Sequence, residues 1–207
     1  SIILAWPKKP FDLADQKTQK YVNTRAGISM TIPKQWTVLS PETYLNMIKD
    51  AKTTNLPPPQ LEQLKAVLES GMETIICDID RMFYDNISVT PQQRRTTGNL
   101  EDMPLDRLRL KVQTDFASFG VKSEIHEVRK TVIQGKNALM VDATLFNSPK
   151  YKEGCRVNIY TVMKSPELEF TITLSSRHKT YQKRKEEFEA VLKTLEFLPV
   201  KENQIQK

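Results

Sequence analysis

The chain has little of what chemistry usually requires. Its 207 residues include two histidines, two cysteines and six glycines. The histidines, His126 in SEIHEV and His178 in SRHKT, stand apart, so there is no HExxH pair. CxxC, GxSxG, Walker and GxGxxG patterns are also absent, and six glycines are too few for a phosphate cradle. No apolar run approaches the roughly 20 residues needed to span a bilayer. Ile2-Ile3-Leu4-Ala5-Trp6 is apolar but short, and Pro7 ends it. That segment is either the stump of a removed signal peptide or a first segment docked on the body.

Net charge is +6, but the basic residues are dispersed among Asp and Glu through most of the sequence. The one concentrated run is Arg177, Lys179, Lys183, Arg184 and Lys185, with His178 among them, and Glu186, Glu187 and Glu189 follow at once. It reads either as a solvated helix face or as a surface for an anionic partner, and it is the candidate partner surface of the chain. Without aromatic interleaving or a zinc-finger or RNP-like motif, nucleic acid is not an expected partner. Asp78 and Asp80 share a strand face at a spacing a hard cation would accept. Two carboxylates fall short of the six or more oxygens calcium takes, so no metal and no cofactor is expected. Glu167 and Glu169 share another strand face and read as solvated. His126 reads as a surface or edge histidine, and Trp36 as a core or hinge aromatic. Cys77 (TIICDID) and Cys155 (CRVNIYT) each lie in or beside a strand-like stretch. They are two buried thiols or a disulfide across neighbouring strands, and neither has an activating partner nearby in sequence.

Hydrophobic periodicity supplies the elements. Tyr21–Gly27 and Ile28–Pro33 form an opening hairpin around Ala26-Gly27. Ser40 is an N-cap, with Pro41 and Glu42 suited to the first helical turn and Tyr44, Leu45, Met47, Ile48 and Ala51 as the apolar stripe. Pro57-Pro58-Pro59 stops that helix, and a second carries Leu61, Leu64, Val67 and Leu68 before Gly71. Strands follow at Thr74–Asp80 and Asn86–Pro91, then a polar loop from Gln92 to Glu101. Leu105, Leu108, Val112, Phe116 and Phe119 mark a helix ended by Gly120. Ile125–Ile133 and Ala138–Phe146 flank a Gln134-Gly135-Lys136-Asn137 turn. Arg156–Met163 and Glu167–Ser175 form the last hairpin, with Leu168, Phe170, Ile172 and Leu174 on one face. Tyr181, Phe188, Val191, Leu192 and Leu195 then fall at helical spacing. The order predicts an α+β fold, a three-layer α/β/α sandwich with a single central antiparallel sheet. Its divisions are an extension over 1–20, one domain over 21–198 and a tail over 199–207.

Three stretches carry a family resemblance. AGISMTIPKQWTVLSP resembles the opening of the PsbP-like superfamily, where a short apolar strand, a Pro, a Trp and a helix start recur in that order. VIQGKNALMVDATLF and ELEFTITLSS…FEAVLKTLEF resemble its late strands and terminal helix. The superfamily includes the photosystem II extrinsic protein PsbP, a Ran-binding nuclear import factor, DcrB-like bacterial envelope lipoproteins and chaperones for type VI secretion effectors. The resemblance spans about Tyr21 to Leu198 and rests on element order and apolar motifs.

What the resemblance implies is a non-enzymatic binding or accessory protein of the bacterial cell envelope. Such a protein would be periplasmic, docked on a larger protein assembly, and membrane-associated if a lipoprotein signal had been removed. The alternative is a cytoplasmic chaperone or adaptor for secretion effectors, using the same sandwich. A small hydrolase is disfavoured because no nucleophile–base pair is visible. Besides the basic run, the proline-split segment Leu56–Leu68 is a second candidate partner surface. Oligomeric state is left open by the sequence.

Overall fold

The computed structural model describes residues 9–43, 46, 62, 65–66, 69–79, 84–94, 102–146 and 153–199. The strands are β1 (Thr18–Asn23), β2 (Ile28–Pro33), β3 (Thr37–Leu39), β4 (Glu73–Ile79), β5 (Tyr84–Arg94), β6 (Lys122–Ile133), β7 (Lys136–Phe146), β8 (Cys155–Met163), β9 (Leu168–Arg177) and β10 (Glu196–Phe197). The helices are α1 (Leu105–Ser118) and α2 (Tyr181–Leu192).

Seven strands form an antiparallel sheet in the order β3-β4-β5-β9-β8-β7-β6. Alternation along the strands sorts two clusters onto its two faces. Phe170, Ile172 and Leu174 of β9, with Ile87 and Val89 of β5, meet Phe188, Val191 and Leu192 of α2. The opposite face offers Leu139, Val141 and Ala143 of β7 and Val157 of β8 to Leu108 of α1. Helix, large sheet, then helix with hairpin give three layers, as the pattern of elements predicts.

The expectation of a single sheet is corrected. The opening hairpin forms a separate three-stranded sheet, β1-β2-β10. The cause is the short strand after α2: Glu196 pairs with Ser29 and Phe197 with Ile28. With that edge of β2 occupied, the hairpin lies across the large sheet instead of extending it. Ile28, Met30 and Ile32 are fully buried there beside Trp36 and Leu195. Trp36 is thus a core residue.

Other boundaries shift for local reasons. β5 continues to Arg94, past the expected loop start at Gln92, through an irregularity between Thr90 and Gln93. Pro91 lies in that irregularity, where its missing N–H costs no ladder bond. Because β5 and β8 both flank β9 at Glu169, that residue is buried rather than solvated. On α1, Leu108 is fully buried, whereas Leu105 and Phe119 of the expected stripe are half-exposed at the helix ends. The N-cap is as predicted, with the Thr43 amide donating to Ser40 Oγ at 3.2 Å. The stripe from Tyr44 to Ala51, the segment Leu56–Leu68 as a surface, Asp80, and the outer parts of the extension and tail lie outside the described residues.

Phe170 is fully buried between the sheet and α2, with its ring edge-on to Phe197 at 6.2 Å. Phe170→Ala is expected to cost about 3–5 kcal/mol on urea denaturation. A loss under about 1 kcal/mol would contradict this packing.

Candidate functional site: the two ends of the closing helix

The predicted basic run sits at the start of α2, and the fold divides it. Asp85, at the start of β5, is fully buried. It accepts from the Arg177 amide at 3.0 Å, from Arg177 Nε at 3.4 Å and from Arg184 Nε at 3.0 Å. Arg177 also donates to Asp78 at 3.1 Å, and Arg184 to Glu187 at 2.7 Å. One turn along α2, Tyr181 donates its hydroxyl to Asp142 of β7, which pairs with Arg156 at 2.8 Å and Lys185 at 3.4 Å. The Arg156 guanidinium lies 4.0 Å from the Tyr181 ring centroid.

The run is therefore not one surface. Arg184 is buried, Arg177 nearly so and Lys185 partly, each with a carboxylate partner. Lys179 and Lys183 are exposed, as is His178. Asp78 serves these guanidiniums, and among the described residues no group of three or more His, Cys, Asp or Glu is placed to hold a metal. His126 lies on the edge strand in a register shift between Ile125 and Glu127, with Nε2 2.7 Å from Thr144 Oγ1.

Both cysteines are free and partly buried. Cys77 packs with the cluster under α2, and Cys155 with the cluster under α1. Burial pushes the Cys155 thiol up to about 12 and also pushes the Cys77 thiol up. Neither is an ionised nucleophile at neutral pH.

Burial alone would push Asp85 up, but the Arg177 amide and the Arg184 guanidinium overcome it and hold the carboxyl below its ordinary value. Asp142 is held down in the same way, against burial, by Tyr181 and Arg156.

The other end of α2 forms a different surface. Residues Ile133, Gln134 and Arg129 of the β6–β7 hairpin face Glu189, Leu192 and Lys193 across an open cleft of ≈ 380 Å³. Tyr160 lines it, its ring edge-on to Phe188 at 5.8 Å, and burial followed by the Glu189 charge pushes its hydroxyl up. Gln134 and Gly135 both have positive φ, 47° and 77°, as a two-residue type I′ turn requires. Glycine adopts that conformation freely, whereas glutamine does so under strain. Among the described residues Gln134 is the only non-glycine with positive φ, and its amide reaches across the cleft to donate to the Lys193 carbonyl at 2.8 Å.

Sequence reasoning found neither Asp85, Asp142 nor this cleft. Arg184 carried a signal, because it lies three residues from Tyr181 and four from Phe188, on the apolar stripe of α2. The turn expected over Gln134-Gly135-Lys136-Asn137 is shorter, since Lys136 and Asn137 already pair in β7, and the strain at Gln134 was not visible.

No family model matches the chain, and no curated protein matches it significantly. Solved structures do resemble it. Cyanobacterial PsbP (CyanoP) from Synechocystis sp. PCC 6803 has a TM-score of 0.55 at 13% identity, over 87% of this chain and 92% of its own. The Ran-binding protein Mog1p of Saccharomyces cerevisiae has a TM-score of 0.47 at 8% identity, over 88% and 96%. The type VI secretion immunity protein TplEi of Pseudomonas aeruginosa, complexed with a peptide, also has 0.47 at 8%, over 88% and 99%. The chain has the PsbP-like α+β fold that its motifs implied.

Asp85→Asn is expected to cost about 3–5 kcal/mol, because it leaves two largely buried guanidiniums short of their counter-charge. Lys183→Glu should change stability by less than about 0.5 kcal/mol, and urea midpoints compare the two.

The pH dependence has a definite sign. Carboxyls held below the ordinary 3.8 contribute stability above that value and lose it as pH falls through their folded values. Urea midpoints should be level from about pH 7 to 5 and drop below about pH 4. Asp142→Asn should flatten that drop.

Proposed function

We propose that the protein is a non-enzymatic accessory factor that binds another protein, working in the bacterial cell envelope through residues 21–198 as one unit. The observation that carries this is the cleft at the C-terminal end of α2, where a strained Gln134 spans to Lys193. Backbone strain of about 1–3 kcal/mol persists where the surrounding structure over-determines it, and such positions cluster at binding sites and clamps. The PsbP-like fold is compatible with this reading without dictating it. The start of α2 supports it differently: Arg177, Arg184 and Lys185 act as structural cations there, which leaves Lys179 and Lys183 as the accessible part of the expected partner surface.

The test is a pull-down from the native organism with wild type, Gln134→Gly and Lys179→Glu/Lys183→Glu. Reversing Arg184 would unfold the protein and report nothing about binding. Gln134→Gly relieves the turn but removes the bond to Lys193, so its stability should stay within about 1 kcal/mol of wild type. Partner recovery should fall with Gln134→Gly. A contribution from Lys179 and Lys183 would appear as a loss that grows at low salt. Full recovery by both variants, together with turnover in an esterase and phosphatase screen, would overturn the reading.

A further inference from the structure

The cleft lies beside an unusual strand end. β6 is the edge strand of the seven-stranded sheet and runs for 12 residues. A long edge is a template for further pairing unless something blunts it. The first half of β6 is blunted twice. Arg109 of α1 donates to the Ile125 carbonyl at 2.5 Å, and the register shift at His126 interrupts the ladder. Beyond Glu127 the pairing with β7 is regular to the turn, with Val128 opposite Val141 and Ile133 opposite Lys136.

That register fixes which backbone groups face outward. In a two-residue hairpin the closing pair, Ile133 and Lys136, exchanges hydrogen bonds across the strands. Alternation then turns the N–H and C=O of Val132 and Val128 away from β7, toward the open edge. Val132 is 59% exposed there. Arg129 and Ile133, whose side chains take the alternate face, line the cleft together with Val132, Lys193 and Glu189.

The charges around this half-edge favour one sign. Arg129, Lys130, Lys136 and Lys193 stand against Glu127 and Glu189; Arg129 lies 3.7 Å from Glu127, which leaves three lysines against Glu189. Lys136 is also near enough to Lys164, in the β8–β9 turn, to help push that partly buried amine down, after burial itself.

We infer that the β6 edge from Glu127 to Ile133 receives an extended acidic peptide segment of a partner protein as an added strand. Backbone bonds to Val128 and Val132 supply the pairing, and alternate acidic side chains meet Lys193 at the cleft and compete with Glu127 for Arg129. This rests on the proposed binding function and names its surface and the chemistry of its partner.

The probe is a blocked peptide of about eight residues alternating Glu and Val, long enough to cover the half-edge. Three controls accompany it: the same peptide with Lys for Glu, the same peptide N-methylated at alternate amides, and the full chain carrying Val132→Pro. Because the Val132 N–H points outward, proline removes a donor without breaking the β6–β7 ladder. Binding is followed by fluorescence anisotropy, and amide hydrogen exchange locates it. The acidic peptide should bind and slow exchange at Val128 and Val132. Affinity should fall about tenfold or more for the N-methylated peptide and for Val132→Pro, with the Lys peptide weaker still. Should Val132→Pro unfold, the N-methylated peptide decides on wild-type protein.

Equal binding of the N-methylated peptide would overturn the inference, as would no binding at millimolar peptide or preference for the Lys peptide. So would self-association of the chain through this edge, read by sedimentation and abolished by Val132→Pro. If the pull-down recovers a partner that Val132→Pro binds normally, the edge is wrong while the binding function stands.

Discussion

The position of α2 depends on two buried carboxylates on separate strands. Asp85 takes Arg184 and Asp142 takes Tyr181 and Lys185, so successive turns of one helix are fastened to β5 and β7. Apolar packing under Phe188 and Val191 contributes most of the free energy, but it is non-directional and would tolerate a rotated helix. Charged hydrogen bonds with fixed geometry do not. Everything beyond them follows: the small sheet is closed by the strand after α2, and the cleft is formed by its last turn.

This arrangement also explains why a basic run in the sequence is a poor guide to a basic surface here. A guanidinium placed on the apolar stripe of a helix must find a counter-charge or stay out of the core. Arg184 finds three, Asp85, Glu187 and, at 3.4 Å, Asp78. The neighbouring Lys183 lies off that stripe, Lys179 precedes the helix, and both remain in solvent. Charge in a helix is partitioned by angle around the axis, which a count along the chain ignores.

The readable parts of the fold were those set by local periodicity. Alternation in β9 gave Phe170, Ile172 and Leu174 as its inward face, with Leu168 at the strand's start only partly buried, and the β6–β7 turn was expected two residues longer than it is. What escaped depended on distant partners. β10 has two residues and no pattern of its own; it exists because Ser29 and Ile28 pair with it. Glu169 alternates like a solvated residue, but β8 on one side and the extension of β5 past Pro91 on the other bury it. Asp85 and Asp142 look like ordinary polar positions until α2 descends on them. The candidate site was hidden for the same reason, since the cleft joins the β6–β7 turn to a helix end some sixty positions later.

The pairing of β2 with β10 has a consequence for how the protein is made. Ser29 and Glu196, whose side chains meet in that pairing, are separated by 167 positions. The opening hairpin is among the first parts synthesised, yet its apolar residues Ile28, Met30 and Ile32 are covered by α2 and Leu195, which come nearly last. Chains grow at about 5–20 residues per second, so this surface waits roughly ten seconds or more for its cover. During that interval the apolar face of the hairpin and the free edge of β2 lack their cover, the kind of surface that makes incompletely folded chains prone to aggregation.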